Sequence, residues 1–279
     1  MTTFLITGAN TGIGRSTAEA LGTTGNTVWL ACRSEDKARP VADAIARRGG
    51  HARIVALDLG DLASVRRAAS TVLTDTEPLH VLINNAGIAG PRGLTKDGFE
   101  ITFGTNHLGP FLLTRLLLPK LRENAQARVV TVASRAHRGA KGIDFAHLRE
   151  PTRSRTAIAE YGVSKLANIL FTRELARRLD GSGTTAYALH PGVVASDLWR
   201  SVPAPLRWAS KLLMISNEDG ARTSVYCATA TEVATQSGRY YDHGKVVAPS
   251  RVAQNDVLAR ELWERSVEWT GASDLSPRL

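Results

Sequence analysis

Short apolar runs recur along the chain at residues 3–6, 27–31, 53–57, 81–83, 129–132 and 186–189, rich in Val, Ile and Leu and without strict polar alternation. Such runs predict strands buried on both faces, because a strand covered on one side only would carry a polar residue at every second place. Between them apolar positions return every three to four residues, which predicts helices over 13–21, 35–48, 62–73, 99–121 and 161–179. A further helix is expected over 219–230, a strand over 239–242 and a terminal helix over 252–269. Parallel neighbours need crossovers, and here the crossovers are helical. The alternation therefore predicts a doubly wound α/β fold, a parallel sheet of about seven strands with helices on both faces. No repeat, low-complexity tract or linker interrupts the pattern, so the 279 residues are expected to form a single domain, 1–279.

Hydrophobic residues make up 43% and charged residues 22%, the balance of a globular chain with a sizeable core. Cys32 and Cys227 stand far apart with no CxxC or Cys/His ligand spacing. Neither a disulfide framework nor a metal site is expected, and a reducing cytoplasm fits. Met1-Thr2-Thr3 runs straight into Phe4-Leu5-Ile6 without a basic leader or a long apolar segment, so neither secretion nor a transmembrane segment is expected. Lysine and arginine number 35 against 26 acids, a net charge of +9. Most of the cations fall singly or in pairs such as Arg47-Arg48, Arg66-Arg67 and Arg177-Arg178 on helix-period segments, which argues for solvated faces and against a nucleic-acid partner. One stretch is denser: Arg135, Arg138, Lys141, Arg149, Arg153 and Arg155 face only Asp144 and Glu150.

The first strand runs into Thr7-Gly8-Ala9-Asn10-Thr11-Gly12-Ile13-Gly14-Arg15, which opens the first helix. Glycines admit positive φ and let backbone amides approach a pyrophosphate, whose charge a helix N-terminus favours. A tight strand-to-helix turn also uses glycine. Its position after the first strand and before the first helix is what favours a dinucleotide.

The spacing TGxxxGIG resembles that of the short-chain dehydrogenase/reductase family, and further motifs of that family follow in order. They are Asn84-Asn85-Ala86-Gly87 after the fourth strand, the tetrad positions Asn106, Ser134, Tyr161 and Lys165, and Pro191-Gly192 after the sixth strand, spanning roughly residues 3–200. The resemblance implies a Rossmann fold that binds a nicotinamide dinucleotide. It implies cofactor contacts from Gly8, Asn10, Thr11, Gly12, Ile13, Gly14 and Arg15 in the turn, and from Asn85, Ala86 and Gly87 beside the adenine ribose. Asp58 and Leu59 are implied near the adenine ring, Pro191, Gly192, Val194 and Ser196 near the nicotinamide, and Tyr161 and Lys165 as cofactor contacts themselves. For Asp58 alone, a helix cap or turn is an open alternative. Asn106-His107-Leu108-Gly109, Ala136-His137 and Leu262-Trp263-Glu264 look most like the branch holding retinol dehydrogenases and carbonyl reductases.

An NAD site typically places a carboxylate near the end of the second strand. This strand ends instead in Ala31-Cys32-Arg33, and a guanidinium there can pair with a 2′-phosphate, with Arg15 in reach of the same group. NADP(H) is the expected cofactor; two ordinary surface arginines are the alternative.

Tyr161 and Lys165, four residues apart on a helix, emerge on one face. A free phenol titrates near ~10, and a neighbouring ammonium is expected to favour the phenolate. The resemblance implies Tyr161 as general acid or base, Ser134 holding the substrate oxygen, and Asn106 supporting a water through which Lys165 relays protons. His107 reads as a satisfied core histidine early in an apolar helix rather than a further base. Residues 197–216 carry Trp199, Leu206, Trp208, Leu212 and Leu213 and are expected to form a lid over a bulky, lipophilic small-molecule substrate. The basic 135–155 stretch is expected at the mouth of the site, either as a solvated loop or as an attractor for an anionic substrate or an acidic carrier protein. Family members commonly pair through the two long helices at 99–121 and 161–179, so a homodimer or homotetramer is implied. Two other functions stay open: a non-catalytic NADPH sensor or scaffold, and an epimerase or dehydratase of the same superfamily.

Overall fold

The computed structural model describes residues 1–192 and 216–272. Its sheet has the order β3-β2-β1-β4-β5-β6-β7-β8. The strands are β1 (Thr3–Thr7), β2 (Thr27–Cys32), β3 (His51–Ala56), β4 (Val81–Asn84), β5 (Arg128–Val132), β6 (Thr185–His190), β7 (Tyr240–Asp242) and β8 (Lys245–Val246). The first seven are parallel, as the pattern predicts, and β8 adds an antiparallel edge. The β7–β8 hairpin closes on His243 and Gly244, both at positive φ, the geometry that two-residue hairpin loops require. A His-Gly pair is a weak signal beside Asn-Gly, and the strand after it has only two residues.

Helices α1 (Gly12–Leu21), α2 (Glu35–Arg47) and α7 (Asn217–Thr229) cover one face of the sheet, while α3 (Leu62–Leu73), α5 (Gly109–Arg122) and α6 (Ile158–Arg178) cover the other. Alternation within the strands divides the core between these layers. Phe4 and Ile6 pack with Leu21, Val41 and Ile45, whereas Leu5 packs with Val65, Phe111 and Leu117.

The helix expected over 99–121 is broken into a short turn, α4 (Ile101–Phe103), a π-turn (Gly104–Leu108) and α5. Two features of the sequence account for the break. Pro110 has no N–H to offer the Asn106 carbonyl four residues earlier. Gly109 lies so close to the chain below that a Cβ there would stand 2.4 Å from the Leu59 carbonyl.

The last helix, α8 (Asp256–Thr270), lies across α5 and α6. Trp263 stacks on Phe171 of α6 with centroids 6.0 Å apart and meets Phe111 of α5 edge-on at 5.1 Å. Arg115 and Arg178 place their guanidinium groups over the same indole. The helix pair through which association of copies is expected is therefore covered by the chain's own C-terminal helix. No helix among the described residues is long and apolar enough to cross a membrane.

Candidate active site

The strand order reverses between β1 and β4, where open α/β sheets form a crevice at the carboxyl ends of their strands. Gly8 follows β1 directly and lies in the left-handed region, with φ of 67°. A Cβ on Gly14 would stand 2.3 Å from the Gly8 carbonyl and 2.4 Å from Asn85 Nδ2, so no larger residue fits. Thr7 Oγ1 accepts from the backbone N–H groups of Asn85 and Ala86, each at 3.0 Å, and Asn85 Nδ2 donates to the Thr7 carbonyl at 2.9 Å. These bonds lock the glycine turn to Asn84-Asn85-Ala86-Gly87. Thr11 at the start of α1 makes no side-chain cap, and no acid lies in the first turn. The positive end of the helix thus faces the crevice, with Thr11 exposed and Asn10, Gly12 and Ile13 partly so. Bare glycines at positions 8, 12 and 14, open amides and a helix N-terminus suit the dinucleotide that the sequence implies.

Around this cradle the other expected contacts differ in availability. Arg33 is exposed just beyond β2. Arg15 is exposed too, but its Nε lies 2.7 Å from Glu19 Oε1, so its charge is shared within α1. Asp58 Oδ1 accepts from Gly60 N–H at 2.9 Å, the turn-forming use left open for it. The Leu59 side chain is buried in the core, leaving only its main chain for a ligand. Pro191 and Gly192 follow β6 directly, both partly exposed. Val194, Ser196 and the expected lid up to residue 215 lie outside the described residues.

The four tetrad positions arrive from three elements. Ser134 follows β5 and its Oγ accepts from Ala136 N–H at 3.2 Å. Tyr161, near the start of α6, stands close enough to Ser134 for the serine hydroxyl to act on the phenol. Lys165, one turn further on and 3% exposed, donates from Nζ to the Val132 carbonyl at 2.8 Å and lies 5.6 Å from the Tyr161 ring centroid. Asn106 sits within the π-turn, fully buried. Its Oδ1 accepts from Ile88 N–H at 2.8 Å, and its Nδ2 donates to the Ile88 carbonyl at 2.9 Å and to Ser164 Oγ at 3.0 Å. The side chain of Asn106 is thus committed to protein partners. Any water at this residue must use the main-chain carbonyl, which Pro110 leaves without its α-helical donor.

The electrostatics correct one expectation. Burial pushes the Tyr161 phenol up to about 12, with the nearby Ser134 hydroxyl pulling the other way, and burial brings Lys165 down to about 8. Desolvation is the leading influence on the phenol, opposed by the Ser134 hydroxyl. The phenol is held as an acid, not as a phenolate. His107 is fully buried with Nε2 3.0 Å from Ser266 Oγ, among Phe103, Phe111 and Phe171, and burial brings it down to about 3. It is a neutral core group, but not the fully satisfied one expected, since its buried Nδ1 has no hydrogen-bond partner among the described residues.

Three supporting residues carry no sequence signal that singles them out. Ser164 Oγ accepts from Asn106 and donates to the Tyr161 carbonyl at 2.8 Å, joining the π-turn to α6. Glu160, beside Tyr161, accepts from the N–H groups of Arg153 and Ser154. Buried Glu100 accepts from Thr102 and Phe103 N–H and from Thr152 Oγ1. In the basic 135–155 stretch, Arg135 Nε pairs with Asp242 at 2.7 Å, Arg138 donates to the Ala248 carbonyl and Arg149 lies over Phe99. Arg153 lies 3.8 Å from Glu150. Three of the six cations, Arg135, Arg138 and Arg149, thus tie the segment to the rest of the protein.

Residues 2–147 match the family model described as short chain dehydrogenase, a match that takes in the glycine turn, Asn106 and Ser134. Over 99% of the chain and 86% of the relative, it is 43% identical to human retinol dehydrogenase 13. Among solved structures, an uncharacterized protein of Mycobacterium paratuberculosis is similar along 100% of this chain and 96% of its own, at 37% identity and a TM-score of 0.80. A protein of Beutenbergia cavernae assigned as an NAD(P)-dependent gluconate 5-dehydrogenase, solved with NADP at low occupancy, matches 87% of this chain and 94% of its own, at 27% identity and a TM-score of 0.70.

Proposed function

Because this chain belongs to the short-chain dehydrogenase family of oxidoreductases, we propose that it interconverts a carbonyl and an alcohol on a bulky, lipophilic small molecule, with NADP(H) as cofactor and Tyr161 as general acid/base. The observation that carries the reading is the convergence of Ser134, Tyr161 and Lys165 beside the glycine cradle. When bound, the nicotinamide supplies the hydride in reduction and accepts it in oxidation.

Gly8, Gly12 and Gly14 with the amides opening α1 would hold the pyrophosphate, and Asn85, Ala86 and Gly87 would border the adenosine side. Arg33 supports the 2′-phosphate form, since a cation directly follows β2 where an NAD site typically holds a carboxylate. Ser134 Oγ orients the reacting oxygen. Tyr161, held protonated by burial, gives its proton to that oxygen in reduction and takes it back in oxidation. Lys165 sits where its charge stabilises a transient phenolate, and a water on the Asn106 carbonyl would link it to solvent. The similarity to a retinol dehydrogenase makes retinoids the first substrates to test. Two free, buried cysteines support a cytoplasmic setting. If copies associate, they use a face other than α5–α6, which α8 covers.

The deciding experiment measures retinal, nonanal and bulky ketones with NADPH and with NADH, in the wild type and in Tyr161→Phe. Turnover with NADPH preferred, falling by roughly 10³-fold in the variant while cofactor affinity stays within about threefold, is expected. Tight NADPH binding with no turnover in either protein would leave a sensor or scaffold instead.

A further inference from the structure

The segment that follows Ser134 is a 3-10 turn, Arg135–Gly139, and its one fully buried side chain is His137. The ring is held at both nitrogens. Nδ1 lies 2.6 Å from the Ser134 carbonyl, and Nε2 lies 3.0 Å from the backbone N–H of Ser250. A backbone N–H can only donate, so Nε2 must be the bare, accepting nitrogen. The proton is then on Nδ1 and is given to the Ser134 carbonyl, which can only accept. The two neighbours therefore dictate one neutral tautomer. Tyr240 of β7 closes the ring edge-on with centroids 5.2 Å apart, and the next residue, Arg138, donates to the Ala248 carbonyl at 2.9 Å. Two consecutive residues of the turn are thus fastened to the loop that follows β8.

We propose that His137 is a positioning residue for the reaction. As the Nδ1–H tautomer it fixes the main chain of Ser134 and anchors it to residues 248–250, so that the serine hydroxyl is presented to the substrate oxygen at the height of the Tyr161 hydroxyl. The inference rests on the catalytic reading of Ser134 and Tyr161 and extends it to the last part of the chain, beyond the residues 2–147 that match the family model. Burial keeps the ring neutral, which the arrangement requires, because an imidazolium would turn a donor against the Ser250 N–H. A hydroxyl displaced by about 1 Å costs a reaction on the order of 10²-fold while leaving ground-state binding nearly intact.

Two variants and a spectrum test this on the full chain. His137→Phe keeps a ring but removes both bonds, and His137→Asn keeps an N–H donor near the place of Nδ1. With retinal and nonanal as probes, His137→Phe is expected to lose roughly 30–100-fold in kcat, with KM and the NADPH Kd within about threefold. His137→Asn is expected to recover to within about fivefold of the wild type. Equal losses in the two variants that track their melting temperatures would reduce His137 to packing and overturn the assignment, as would an unchanged kcat in His137→Phe. If His137→Phe does not fold, long-range ¹H–¹⁵N correlation of the wild-type ring decides: a protonated Nδ1 with a bare Nε2 supports the assignment, and the opposite tautomer or an imidazolium at pH 7 overturns it. Turnover retained in Tyr161→Phe would bring down the catalytic reading and this inference together. Turnover lost there and kept in His137→Phe brings down this inference alone.

Discussion

Lys165 combines two demands that oppose each other. The residue is 3% exposed and burial brings its pKa to about 8 from the usual 10.5, so at neutral pH the folded protein holds a charge it has largely desolvated. The sign follows from proton counting. Below about 8 both folded and unfolded chains bind the proton, and folding bears the desolvation cost in full. Between about 8 and 10.5 the folded chain sheds the proton while the unfolded chain keeps it, so this group's contribution to stability rises with pH. Lys165→Met is therefore expected to be inactive yet more stable at pH 7, by about 1–3 kcal/mol, because the hydrogen bond to Val132 lost with the ammonium offsets part of the gain. Urea unfolding at pH 7 and at pH 9.5 checks this, and the variant's advantage should shrink at the higher pH. The helical spacing of Tyr161 and Lys165 was legible in the sequence. The direction of the phenol's shift was not, because spacing places two groups on one face without saying how much water reaches them.

At the scale of elements, the glycine turn is the part whose sequence pattern translates most directly into structure. Gly14 has nowhere to put a methyl group: one side is the Gly8 carbonyl and the other the Asn85 amide that bonds back to Thr7. Gly14→Ala must push apart β1 and the start of α1 and is expected to lose about 1–3 kcal/mol of stability and at least ~100-fold in NADPH affinity. Thermal melting and a fluorescence titration with NADPH read the two effects separately. An alanine variant that binds NADPH as the wild type does would refute the cradle. The long helix expected over 99–121 shows the reverse case. Its apolar period is real, but period alone is blind to Gly109 pressed against Leu59 and to the missing N–H of Pro110, which together leave a π-turn around Asn106. Likewise β8 has no sequence signature, since two residues after a His-Gly turn carry too little pattern to register as a strand.

Across the whole molecule, α8 has the largest structural consequence. Trp263 fills the groove between α5 and α6 against Phe111 and Phe171, and Ser266 meets His107 in the layer beneath. Trp263→Ala is expected to cost about 3–5 kcal/mol in urea unfolding, within the range for emptying a large aromatic site. The same helix covers the pair through which copies were expected to associate. Sedimentation of the wild type should therefore show no dimer that Trp263→Ala, by loosening α8, weakens or strengthens through α5–α6; a wild-type dimer cross-linked across those helices would show that α8 can leave its groove.

Local order along the chain, by itself, determined much of this protein. Continuous apolar runs mark the buried strands, periods of three to four residues mark the helices, and glycine marks turns whose backbone admits few alternatives, so the doubly wound sheet follows from neighbours in sequence, while Asn106, Ser134, Tyr161 and Lys165 were placed by the family resemblance of their motifs. What only the tertiary structure decided depends on residues far apart in the chain. The tautomer of His137 is set by Ser250, more than a hundred positions away, the Asn106 amide is spent on Ile88 and Ser164, and the Tyr161 phenol is raised by burial that several elements jointly create. Burial and hydrogen-bond satisfaction are properties of the packed assembly, and no local spacing encodes them.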